Sequence, residues 1–255
     1  MLTESPCLPS VYEFLGLSDK LSFARVNKYW RFVSTTSPSA VIDTVGFDLS
    51  VSRLISLISR NASYIEILRV GVREPDIDSF ISFLVSELNK FEKLTRIAIF
   101  STSPDGSVRL PIRDLQRIDA FDNTQYSPST SPSHVTSLIL QIDPSVSKPT
   151  QTLLKILGPN LSTVAFLRGP GVVKSADLVS LITHTVPRAQ SVYLGPCTSD
   201  IDMDEVVPHI FTDRQNPIQY LQWSNASASI DTLRFVHSKV SECDFDGLGF
   251  LMFLL

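Results

Sequence analysis

The sequence predicts an α/β fold: a solenoid of short parallel strands and helices behind an N-terminal helical hairpin. Two observations predict it. A short apolar pattern recurs along the body at nearly even intervals, with amphipathic segments between its occurrences. Ahead of it, residues 8 to 31 read LPSVYEFLGLSDKLSFARVNKYWR, two apolar helices split by a Ser-Asp break.

In the hairpin, Val11, Tyr12, Phe14 and Leu15 recur at helical spacing, as do Leu21, Phe23, Ala24 and Val26. Ser18 and Asp19 supply an N-cap and an acidic first turn for the second helix. Trp30 closes the pattern, with a ring large enough to bury against the first helix. The hairpin cannot bury both its faces alone, so on physical grounds it reads as an N-terminal cap packed on the next domain.

The body's pattern is apolar-x-x-apolar-x-apolar. It occurs at Ile42, Val45, Phe47; Ile65, Leu68, Val70; Leu94, Ile97, Ile99; and Val135, Leu138, Leu140. It returns at Leu161, Val164, Phe166; Ala189, Val192, Leu194; Ile218, Leu221, Trp223; and Ile230, Leu233, Phe235. The starts are 23, 29, 41, 26, 28, 29 and 12 residues apart. In each unit a strand turns alternate apolar residues inward, and a following helix covers them. Helical segments follow at Leu54 to Ile58, Ile77 to Leu88, Leu153 to Leu157, Leu178 to Ile182 and Val206 to Phe211. Pro208 is expected to disturb the last of these.

Two intervals break the rhythm. The long one holds a Ser/Pro-rich insertion, residues 101–134, with a small helix expected around Ile112 to Phe121. Its Ser103-Pro104, Ser127-Pro128 and Ser131-Pro132 could accept phosphate, although such dipeptides are common in loops. The 12-residue step is too short for a helix, so it reads as strand-turn-strand or as one false repeat. The ending, FDGLGFLMFLL, supplies no polar cap for a solenoid, so a truncated product or a pairing partner is expected.

Composition sets the class. The chain has 255 residues, 43% hydrophobic and 19% charged, enough for one large domain or two small ones. A net charge of −4 argues against phosphate-driven nucleic-acid binding. Cys7, Cys197 and Cys243 are scattered and odd in number, and read as reduced thiols of an intracellular protein. MLTESPCLPS has no signal-peptide character, and Leu248 to Leu255 is too short to span a bilayer. The expectation is a cytoplasmic or nuclear protein that binds neither membrane nor nucleic acid.

Catalytic and metal motifs fare poorly. Gly169-Pro170-Gly171-Val172-Val173-Lys174-Ser175 resembles a phosphate loop, but Val173 stands where glycine is required, so a turn capped by Ser175 is expected. Asp200, Asp202 and Asp204 lack the glycine and glutamate of a calcium loop and read as helix capping. His134, His184, His209 and His237 stand singly, and no serine sits in a nucleophile elbow. No catalytic residue, metal or cofactor is assigned, and the chain is read as not an enzyme.

Val11-Tyr12, Phe14-Leu15, Asp19 and the ending Val26-Asn27-Lys28-x-Trp30 together resemble an F-box. Leu8-Pro9 lies about one helical turn closer to the hairpin than the family's Leu-Pro opening. The body resembles divergent leucine-rich repeats, whose intervals are about 20 to 29 residues. Cys197 fits that family's buried Asn or Cys, Thr102 and Asp143 less well, while Arg73, Gly169 and Ala226 depart from it. A conventional α/β domain with a parallel sheet also suits strand-helix alternation, and the even spacing favours the solenoid.

The resemblance implies an F-box-like hairpin at 1–38 and a repeat domain at 39–255. It implies substrate recognition in a Skp–cullin–F-box type ubiquitin ligase. Leu8, Pro9, Val11, Leu15, Leu21, Val26 and Trp30 would form the face for the Skp-type adaptor, some of them holding the hairpin together instead. Arg69, Arg96, Gln141, Tyr193, Tyr220, Gln222 and Arg234, alternating with buried strand positions, would bind an unknown protein target. The competing reading is a leucine-rich-repeat scaffold unrelated to ubiquitination, with the hairpin as a cap.

Overall fold

The computed structural model describes residues 41–45, 49–102, 135–141, 147–167, 174–196, 201–212, 216–224, 227–240 and 242–246. The hairpin, its seven adaptor-face residues and nearly all of the Ser/Pro-rich insertion, with its expected helix, lie outside them.

Strand and helix alternate along the described chain. β1 (Val41–Asp43) leads to α1 (Val51–Asn61), and β2 (Ile67–Arg73) to α2 (Ile77–Glu87). β3 (Arg96–Thr102) and β4 (Ser137–Leu140) flank the insertion, and α3 (Lys148–Leu157) follows. β5 (Thr163–Phe166) precedes α4 (Ser175–Ser180), which widens into a π turn at Leu181–Thr185. β6 (Ser191–Pro196), α5 (Met203–Thr212), β7 (Tyr220–Ser224), α6 (Ile230–Lys239) and β8 (Glu242–Asp246) complete the order.

All eight strands form one sheet in strict chain order, and every pairing is parallel. A single row runs across it: Ile42, Leu68, Ile97, Leu138, Val164, Val192, Leu221 and Cys243. Six of the expected apolar triplets fall into this register without shift. The reason is geometric, because side chains alternate along a strand and only one phase buries the triplet against the helices.

Two triplets are corrected. In the first unit Ile42 occupies the second apolar position rather than the first, and Thr44 stands where the other units carry Val70 or Ile99. The last triplet, Ile230, Leu233 and Phe235, belongs to helix α6, and the final strand is Glu242–Asp246. Ser229 accepts the Thr232 N–H and starts that helix, and Ile230, Leu233 and Val236 have helical spacing as well. The 12-residue step was therefore a false repeat.

The helices pack on the sheet face that carries the register row. Leu54 and Ile58 of α1, Phe80, Ile81 and Leu84 of α2, and Leu153, Leu154 and Leu157 of α3 are buried in one continuous core. That core continues through Leu178 and Ile182, through Met203, Val206, Val207 and Ile210, and ends at Val236. α5 runs through Pro208. The proline removes one N–H from the ladder on an exposed face, and burial of Val206, Val207 and Ile210 around it holds the helix.

A second regularity precedes the strands. The carbonyl of Glu66 accepts the N–H groups of Thr95 and Arg96; Thr95 likewise accepts from Thr136 and Ser137. Thr136 accepts from Ser162 and Thr163, Ser162 from Gln190 and Ser191, and Gln190 from Gln219 and Tyr220. Thr95, Thr136 and Ser162 add their hydroxyls to the preceding carbonyl. From β3 to β7 each strand is thus tied to the one before it where it begins, which satisfies those backbone groups.

Candidate functional site

The sheet face away from the helices is the one on which target-binding residues were expected. Its middle row is Asp43, Arg69, Ala98, Ile139, Ala165, Tyr193 and Gln222, set by the strand register. This face has two parts. Over β1 and β2 it is open: Val41 is exposed and Ile67, Asp43 and Arg69 are half-exposed. Arg69 Nε lies 3.7 Å from Asp43 Oδ2, a long ion pair at the surface that adds little stability.

From β3 to β6 the same face is buried, apart from Arg96 at the start of β3. Ala98, Phe100, Ile139, Ala165, Leu167 and Tyr193 form a second apolar cluster, separate from the core under the helices. Phe100 has no exposed surface and Tyr193 retains 2%. Gly195 leaves room beside the Tyr193 ring, since a Cβ there would sit 3.3 Å from the ring and 3.1 Å from the Leu167 Cα. Gln141 is buried with its Oε1 accepting the Ser101 N–H at 3.1 Å. Gln222 is buried and accepts a hydrogen bond from the Tyr220 hydroxyl.

The expected target residues therefore separate into three groups. Arg69, Arg96 and Tyr220 lie half-exposed on the strand face. Gln141, Tyr193 and Gln222 share that face and are buried. Arg234 is corrected: it lies on helix α6, exposed, with its guanidinium 3.6 Å from Asp231 one turn earlier. The buried cluster was visible in the sequence. Arg-Ile-Ala-Ile-Phe in β3 and Ser-Leu-Ile-Leu in β4 are nearly continuous apolar runs, the signature of strands covered on both faces.

The acidic run resolves into a structural junction. Asp202 Oδ1 accepts the Asp204 N–H at 2.9 Å, which caps the start of α5. Asp204 Oδ1 accepts the Ser229 N–H at 2.8 Å and so ties α5 to the start of α6. That backbone hydrogen bond, with side-chain bonds from Thr232 and Ser229, holds the Asp204 carboxyl below its ordinary value of 3.8. Ser175 does not cap its own helix; its Oγ accepts the Asp202 N–H at 3.2 Å. Asp200 lies outside the described residues. Among the described residues, no three His, Cys, Asp or Glu side chains are grouped to hold a metal ion.

Among the described residues no helix is long and apolar enough to cross a membrane. Comparison with models of known protein families and with curated proteins returned no match.

Proposed function

We propose that this chain is a substrate-recognition adaptor of a Skp–cullin–F-box type ubiquitin ligase, its body a leucine-rich-repeat-like solenoid. The observation that carries the reading is the strand order: eight parallel strands in chain order, with the described helices on one face. Stacked units of this kind suit recognition, because they offer a long surface built from many short segments. The Val26-Asn27-Lys28-x-Trp30 ending supplies the link to the ligase. Such an adaptor performs no bond chemistry; it holds a target close to a ubiquitin-charged partner and raises its effective concentration.

The target surface is drawn toward the half-exposed members of the strand face, Arg69 on β2, Arg96 on β3 and Tyr220 on β7. Aromatic and arginine side chains at such positions are favoured anchors.

Co-precipitation with a Skp-type adaptor tests the reading, comparing the full chain with residues 39–255. Capture by the full chain and loss of capture by the fragment are expected. A fragment that still captures the adaptor would refute the docking role of the hairpin. A full chain that captures none would favour the plain scaffold. Tyr220→Ala should reduce recovery of the target, with a modest fall in the thermal midpoint, because the ring packs on the second apolar cluster and its hydroxyl donates to the buried Gln222. Tyr193→Ala reports on stability instead, since that ring is buried.

A further inference from the structure

We draw no further inference here: the strongest candidate, the cluster of Arg69, Arg73 and Arg96 on the strand face of β2 and β3, carries nothing because each arginine already holds its own interactions and nothing in the structure shows what covers the apolar face beside it.

Discussion

Thr44 shows how one residue can displace a pattern. It has no exposed surface, and among the described residues its Oγ1 has no hydrogen-bond partner. It continues the β1 ladder through its N–H, which donates to the Arg69 carbonyl at 2.9 Å. A buried hydroxyl left without a partner carries a penalty of about 1–3 kcal/mol. Valine has the same shape without that penalty. Thr44→Val should raise stability by about 1 kcal/mol, read as a higher denaturant midpoint with an unchanged slope. Thr44→Ser should lower it by a similar amount, because it keeps the hydroxyl and deletes a packed methyl, worth about 1 kcal/mol. A Val variant less stable than the parent would mean that the hydroxyl contributes a bond. The same residue explains why the first unit was mis-phased in the sequence: a polar residue occupies an apolar position, and Val45 supplied a false match one residue later.

At the scale of elements, α3 and the π turn approach closely at Gly158. Gly158 follows α3 with a helical φ of −50°, so its conformation alone does not demand glycine. Its surroundings do. A Cβ there would stand 2.1 Å from the Thr185 carbonyl oxygen and 3.1 Å from the carbonyl carbon. Backbone cannot rotate away as a side chain can, so Gly158→Ala should cost about 3 kcal/mol, at the upper end for overpacking. Gly71→Ala is the control, because its Cβ meets the Thr102 methyl at 2.7 Å and no backbone atom within 3.6 Å. Its loss should be clearly smaller. Equal drops in thermal midpoint for the two variants would contradict this account.

The α5–α6 junction gives a pH dependence of defined sign. The folded protein holds Asp204 below 3.8, so this carboxylate contributes stability above that pH and loses it as pH falls through the folded value. The side chain is exposed, which keeps the contribution small. Asp204→Asn should therefore be less stable than the parent at neutral pH, and the gap should narrow in acid below about pH 3.8. Urea titrations of both proteins across that range would show it; a gap that widens in acid would overturn the assignment. Elements of this kind were partly legible. The apolar triplets placed six strands because burial on the helix side fixes their phase. β8 was missed because Glu-Cys-Asp-Phe-Asp offers only Phe245 and Cys243 as apolar residues and reads as a loop. The junction through Asp204 and Ser229 was legible only as capping, since the partners are 25 residues apart in the chain.

For the whole molecule, the proposed solenoid predicts that stability is local. β4 pairs with β3 on one side and β5 on the other, whereas β1 pairs with β2 and begins the described sheet. In stacked repeats each unit draws stability from its neighbours, so loss at an end frays the end and loss in the middle weakens both flanks. Ile42 and Leu138 occupy the same register row, and both are fully buried. Replacing either with alanine removes a comparable side chain, at about 2–5 kcal/mol for a well-packed site. The consequences should differ in extent. Ile42→Ala should raise hydrogen exchange in β1 and along β2, including the Thr44 amide, while β5 to β7 stay protected. Leu138→Ala should expose amides in β3, β4 and β5 together and lower the thermal midpoint more. Exchange mass spectrometry on the two variants measures the difference directly. If Ile42→Ala loosens all strands equally, the protein unfolds as one cooperative block and the stacked-unit account fails. If the loosening stops within β2, the nearest-neighbour ties through Glu66, Thr95, Thr136, Ser162 and Gln190 are what limit its spread.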